Sequence, residues 1–229
     1  MSPQLVIFDL DGTLLDTLDD LSAAVNYAMQ QKGFPQHSRD EYMKKVGHGA
    51  RNLMRQVVPK EHRDDEALIN AVLADFRNYY NAHIDVYTKP FPGIPQLLEN
   101  LHQEGVKLAV ASNKFQEGTE RLIKEFFPNI PLVSILGNRP DHPLKPDPEV
   151  VGEVLCKTGI NKENAVMVGD SDTDMETAAN GGIEGIAVNW GYRNMRDWVN
   201  QKQAFPQPRE PWHFIVVDTT EELQKILLP

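Results

Sequence analysis

Two patterns of apolar and polar positions alternate along the chain. Six short runs are almost continuously aliphatic or β-branched and end in polar turns: LVIFD (5–9), KLAVAS (107–112), LVSIL (132–136), AVMVGD (165–170), GIAVN (185–189) and HFIVVD (213–218). A strand covered on both faces reads this way, because neither face tolerates polar side chains, and parallel sheets are built from such strands. Between the runs lie helical periods at Ile94–Glu104, Gly118–Phe127, Glu149–Thr158, Thr173–Asn180 and Glu221–Leu228. The first is amphipathic and stops at Gly105, a residue suited to a C-cap. Strand–helix alternation predicts an α/β fold with a doubly wound, Rossmann-like parallel sheet.

The rhythm breaks between Leu18 and Thr88. No strand pattern occurs there, and four helical patterns follow one another at Leu18–Lys32, Arg39–Lys45, Ala50–Val57 and Glu66–His83. The expected division is therefore an α/β catalytic core of residues 1–16 and 89–229 and a small all-helical cap of residues 17–88, inserted after the first strand. Lys89–Gly93 (KPFPG) serves as the returning linker, and Gln203–Pro211 (QAFPQPREP) is expected as a Pro-rich surface loop.

Composition narrows the function classes. The 229 residues carry a net charge of −10, a field that repels nucleic-acid backbones but not a small phosphorylated metabolite held in a local cationic or metal-bearing pocket. A single cysteine, Cys156, precludes an internal disulfide, and its apolar helical surroundings suggest a small buried hydrophobe. No apolar run is long enough to span a bilayer, and the N-terminal stretch lacks the basic start of a signal peptide. The expectation is a cytoplasmic protein, a monomer or small homo-oligomer, without nucleic-acid or membrane partners.

The chemistry-bearing residues sit where the apolar runs end. LVIF is followed by Asp9-Leu10-Asp11-Gly12-Thr13. Residues i and i+2 of a strand share a face, so Asp9 and Asp11 can meet one pocket while Leu10 turns away, and Gly12 permits a sharp exit. Two adjacent carboxylates repel unless a cation or a retained proton relieves them. After the next run come Ser112 and Asn113, a hydroxyl and a helix start suited to a phosphate, or simply an N-cap. HPLKPDP holds Lys145 in a loop stiffened by prolines. AVMVG leads to Asp170, with Asp172 and Asp174 opening a helix. DSDTD is not a calcium loop, because Met175 and Gly181 replace its glycine and glutamate. Gly47-His48-Gly49 is not a dinucleotide fingerprint, and the seven histidines show no ligand spacing. Carboxylates, a hydroxyl and a lysine at one sheet end make a hard-oxygen site for Mg²⁺ beside a phosphoryl group.

In this order, Asp9-Leu10-Asp11-Gly12-Thr13, Ser112, Lys145 and Gly169-Asp170 with Asp174 resemble the four signatures of the haloacid dehalogenase superfamily. Within it, DGTLLDTLDDL, VGHGARNLM and VASNK are most similar to phosphoglycolate phosphatases, and the helical insertion resembles a C1-type cap. The resemblance implies that Asp9 attacks phosphorus and forms an aspartyl-phosphate, and that Asp11 protonates the leaving alkoxide and then activates water. It implies Mg²⁺ on Asp9, the Asp11 carbonyl and Asp170, with Asp174 behind them, and phosphoryl oxygens held by Ser112, Asn113 and Lys145. The cap would read the leaving group through Gly47, His48, Gly49 and Arg51, the last either taking a substrate carboxylate or standing as an exposed helix arginine.

Other readings share parts of this set. A sugar-phosphate mutase of the β-phosphoglucomutase type would pass the phosphoryl group back to a sugar. A dehalogenase has no use for Asp11, and a phosphonatase would need a Schiff-base lysine such as Lys44 or Lys45 in the cap. A receiver-type phospho-acceptor lacks both an acid two residues on and a helical insertion. A protein that only binds its ligand would keep the same residues without turnover.

Overall fold

The computed structural model describes residues 2–204 and 214–229. Strand β1 (Leu5–Phe8) runs up the middle of the molecule, and a two-residue strand β2 (Leu15–Asp16) follows it. Four helices come next: α1 (Leu18–Gln31), α2 (Arg39–Met43), α3 (Ala50–Val57) and α4 (Glu66–Ala82). The short β3 (Lys89–Pro90) leads back to α5 (Ile94–Gln103), β4 (Lys107–Phe115), α6 (Gln116–Phe126), β5 (Leu132–Asn138) and α7 (Glu149–Thr158). The chain finishes with β6 (Ala165–Gly169), α8 (Asp172–Gly181), β7 (Glu184–Val188), α9 (Met195–Ala204), β8 (Ile215–Val217) and α10 (Thr220–Leu227).

Six strands form one parallel sheet in the order β5-β4-β1-β6-β7-β8. Every residue of β1 and β6 is buried, which accounts for their unbroken apolar runs. The chain leaves β1 toward β4 on one side and later reaches β6 on the other. The strand order therefore reverses at β1, and the crevice beyond the carboxyl ends of β4, β1 and β6 is where such sheets bind ligands.

Helices α1 to α4 interrupt the α/β rhythm as the polarity pattern predicts. On α1, Leu18, Leu21, Val25 and Ala28 are buried, and on α4, Ile69, Val72, Phe76 and Tyr80. This i, i+3, i+7 spacing lets the two helices pack along each other. Ser38 and Glu41 close a capping box on α2, and the Asp65 side chain caps α4. The entry and exit of this segment are pinned twice. β2 pairs antiparallel with β3, Leu15 against Pro90 and Asp16 against Lys89. Asp20, 2% exposed, accepts hydrogen bonds from the Tyr87 and Thr88 amides and from Thr88 Oγ1, the Thr88 contacts at 2.8 Å each. Neither the two-residue ladder nor the Asp20 tie has a local pattern that announces it.

The structure corrects two expectations. Cys156 is exposed. On α7 the buried stripe is Val151 and Val154, and position 156 turns away from it. The strand expected at 107–112 continues to Phe115, with a register shift against β5 between Ala111 and Phe115. The expected loop Gln203–Pro211 and His213 lie outside the described residues, apart from the backbone of the last two residues of α9.

Replacing Asp20 with Ala leaves the buried amide and hydroxyl of Thr88 and the partly buried amide of Tyr87 without their acceptor. The expected cost is roughly 2–4 kcal/mol, measured by urea unfolding, with Asp20→Asn costing less because one acceptor oxygen remains.

Candidate functional site

The residues at the strand ends converge on one cavity of about 60 Å³, lined among others by Asp9, Asp11, Ser112, Asn113, Lys145, Asp170 and Asp174. Asp9 follows β1, Ser112 lies in β4 where its register with β5 breaks, and Asp170 follows β6. Breaking the ladder at 112–114 releases three consecutive side chains from sheet pairing and turns them to the site. Gly12, at φ +92°, takes the chain past Asp170 so closely that a Cβ there would lie 2.3 Å from Asp170 Oδ2. Only glycine meets both requirements.

Lys145 is the hub. Its ammonium, almost fully buried, donates to Asp9 Oδ1 at 2.8 Å, Asp174 Oδ1 at 2.6 Å and the Ala111 carbonyl at 2.8 Å. Those bonds use its three donors. The loop that carries it is held by Asn113, whose Oδ1 accepts from Lys145 N at 2.8 Å and whose Nδ2 donates to Lys145 O at 3.0 Å and to Gly47 O at 2.9 Å. The Asn113 amide, expected among the phosphate ligands, is thus occupied with positioning the lysine loop and the first glycine of the GHG segment.

Asp9, Asp170 and Asp174 each place a carboxylate oxygen within 4.8 Å of the others, and all three are buried. Asp170 accepts from Thr13 Oγ1 and from Tyr192 N at 2.7 Å. Asp174 Oδ2 accepts from the Ser171 amide and hydroxyl in the capping box that starts α8. Burial pushes the Asp9 carboxyl up to about 7; Lys145 pulls against this, and the charges of Asp174 and Asp11 add to it. Burial likewise raises Asp170 far above the carboxylate range, reinforced by Asp9 and Asp174. Burial opposes the charge on Lys145, but Asp174 and Asp9 outweigh it and hold its pKa above the ordinary lysine value.

Asp11 stands apart from that cluster. Its Oδ1 accepts from Thr17 Oγ1 at 2.6 Å and from Lys114 Nζ at 2.9 Å. Lys114 also donates to Tyr80 OH at 2.7 Å. Burial raises the Tyr80 and Tyr192 phenols well above their usual value, so both act as neutral hydroxyls.

The GHG segment does reach the cavity: Gly47 and Gly49 line it. His48 does not; it is exposed, with Nδ1 3.3 Å from Thr173 Oγ1. Arg51 does not either. Its guanidinium pairs with Glu66 and Asn70, and it lines a separate surface depression with Arg77 and Asn78. The segment ahead of the glycines is gripped from the core by Arg193, which donates to the carbonyls of Met43, Lys44 (3.2 Å) and Val46 (2.8 Å).

Sequence reasoning missed Lys114, Tyr80, Thr17, Tyr192 and Arg193. Two signals were available. Lys114 lies two residues after Ser112 at the same strand end, and Tyr192-Arg193 follows the GIAVN run, where the rule used for the other strands also applies. Tyr80 and Thr17 carry no local signal, since a tyrosine on an apolar helix face reads as core.

Against known proteins, residues 6–188 match the haloacid dehalogenase-like hydrolase family. Phosphoglycolate phosphatase from Aquifex aeolicus is 33% identical over 189 residues, covering 82% of this chain and 86% of that protein. Phosphoglycolate phosphatase 1 from Pseudomonas aeruginosa is 34% identical over 197 residues, covering 85% and 72%. The solved structure of a candidate phosphoglycolate phosphatase from Lactobacillus delbrueckii subsp. bulgaricus superposes with a TM-score of 0.87 at 34% identity, over 100% of this chain and 99% of that one. A family match across most of the chain, joined to a parallel sheet whose strand ends gather three buried aspartates and a buried lysine, leads to one conclusion: the chain belongs to the haloacid dehalogenase-like hydrolases and is a phosphatase similar to phosphoglycolate phosphatases.

Proposed function

We propose that the protein hydrolyses a small phosphate monoester of the 2-phosphoglycolate type through an aspartyl-phosphate on Asp9, with Mg²⁺ as cofactor. Residues 1–16 and 89–229 act as the catalytic core and 17–88 as the cap that closes over it. The observation that carries this reading is the charge balance of the buried cluster. Asp9, Asp170 and Asp174 bear three formal negative charges and Lys145 one positive, so two negative charges lack a partner. A hard divalent cation fits that deficit and that set of oxygens. Asp9 and Asp170 would hold it with the Asp11 carbonyl, and Asp174, both of whose oxygens already accept hydrogen bonds, would stand behind them. When bound, the ion supplies charge neutralisation at the phosphoryl oxygens.

The chain's own groups do the rest. Ser112 orients the phosphoryl oxygens, the Lys145 charge attracts them, and the Lys145 ammonium, its three donors already committed, fixes the Asp9 carboxylate through Oδ1 for attack on phosphorus. The Asp9–phosphorus bond forms as the ester P–O bond breaks, and the leaving oxygen takes a proton from Asp11. Thr17 and Lys114 both bond Asp11 Oδ1, which orients the group and leaves Oδ2 to carry that proton. Asp11 then removes a proton from the water that attacks the aspartyl-phosphate, releasing phosphate and restoring Asp9. Asn113 and Arg193 position the lysine loop and the cap segment rather than touching substrate. The cap residues Leu53, Phe76 and Tyr80 give the cavity a largely apolar wall that excludes water.

Purified protein with Mg²⁺ is expected to release phosphate from 2-phosphoglycolate. Chelation should abolish this, and Asp9→Asn should lower kcat by about a thousandfold or more. Phosphate release that persists in Asp9→Asn would overturn the aspartyl-phosphate reading. A lasting phosphoryl adduct discharged only by a sugar phosphate would favour a mutase.

The raised Asp9 pKa gives a second test. Between about pH 4 and pH 7 the folded, metal-free protein keeps a proton on Asp9 that the unfolded chain releases, so stability falls as pH rises through this window. In chelator, Asp9→Asn should match the wild-type melting temperature near pH 5 and exceed it near pH 8, by roughly 2–4 °C for each kcal/mol of repulsion relieved. Added Mg²⁺ should stabilise the wild type more than the variant.

A further inference from the structure

We propose that Lys114 is the specificity residue of this site: while it holds Asp11, its ammonium turns its remaining donor to a carboxylate on the substrate's leaving alcohol. The substrate class is then a short phosphomonoester with its carboxylate on the carbon next to the ester carbon. The inference rests on the phosphatase reading above and deepens it.

Three cationic side chains line the cavity: Lys114, Lys145 and Arg193. Lys145 spends its three donors on Asp9, Asp174 and the Ala111 carbonyl. Arg193 is turned to the carbonyls of Met43, Lys44 and Val46. Lys114 makes two side-chain hydrogen bonds, to Asp11 Oδ1 and Tyr80 OH, and an ammonium has a third donor. It is 7% exposed, so an anion reaching it is desolvated and strongly held. Its four-carbon stem lets the ammonium rotate to aim that third donor while Asp11 and Tyr80 OH keep hold of it.

Position sets the substrate's geometry. Lys114 lies against Asp11, which serves the ester oxygen, so the anion it reads lies close to that oxygen. Leu21, Val46, Leu53 and Phe76, contributed by the helical insertion, make a large part of the lining apolar, which suits a small leaving group better than a polyhydroxylated one. A cavity of about 60 Å³ has room for roughly four to six waters, which suits a leaving group of a few heavy atoms. Arg51, the arginine that the sequence nominates for a carboxylate, faces Glu66 outside the cavity.

The experiment compares kcat/KM for 2-phosphoglycolate with that for 2-hydroxyethyl phosphate, in which a neutral hydroxymethyl replaces the carboxylate. The wild type should prefer the carboxylate ester by about 30-fold or more. In Lys114→Met that preference should fall to within about threefold of unity, largely through KM. Tyr80→Phe, which keeps the ring and removes the hydroxyl that holds the ammonium, should reduce the preference several-fold and reads the same role if Lys114→Met does not fold. Arg51→Ala should leave the preference intact. A preference unchanged in the Lys114 and Tyr80 variants, or lost in Arg51→Ala, overturns the proposal while the phosphatase reading stands. A wild type that does not distinguish the two esters does the same. Release from neither ester removes the phosphatase reading, and the inference with it.

Discussion

One buried ammonium organises this molecule. Lys145 joins the end of β1 through Asp9, the end of β4 through the Ala111 carbonyl and the start of α8 through Asp174. Three segments far apart in sequence therefore meet at a single charge. Burying a lysine costs several kcal/mol of solvation, and only converging acceptors offset it. The loop that delivers it is correspondingly constrained, with both peptide groups around Lys145 answered by the Asn113 side chain. The same arrangement leaves the cluster short of positive charge.

The helical insertion depends on that core rather than standing beside it. Asn113 and Arg193 bond backbone carbonyls of residues 43–47, so the segment before α3 is registered on the loops that line the cavity. At the other end, Asp20 and the β2–β3 ladder bring the two crossings together. Main-chain bonds hold position without demanding a particular side chain on the partner. Tyr80 belongs to both parts: its ring is in the helical core against Phe76, and its hydroxyl meets Lys114 from the sheet.

Charge is distributed in two layers of the cavity. Toward the sheet lie the three clustered carboxylates and Lys145; toward the helices lie Asp11, Lys114 and Thr17. The first layer suits a metal and a phosphoryl group, and the second suits the group that leaves. The division arises past the end of the strand: β1 stops at Phe8, so Asp9 and Asp11 are released from the pleat ahead of the turn at Gly12 and end up serving different neighbours, though they are two residues apart.

Much of this was legible in the sequence because the relevant signals are local. Unbroken apolar runs specified parallel strands, buried throughout in β1 and β6 but mostly half-buried or exposed at the sheet edges β5 and β8, and a polar residue at the end of such a run marked the crevice beyond the strands; Asp9, Ser112 and Asp170 are found there for that reason. The 3.6-residue period marked α1 and α4 as an insertion. What only the tertiary structure decided are partnerships across long separations: Lys114 with Tyr80 and Asp11, Arg193 with the carbonyls near Val46, Asp20 with Thr88, and Arg51 with Glu66 rather than with the cavity. The physical reason is that periodicity reports which face of an element is apolar. The partner of a charged side chain depends on where another element lies: Arg51 on α3 meets Glu66 and Asn70 of α4, and Cys156 falls off the buried stripe of α7.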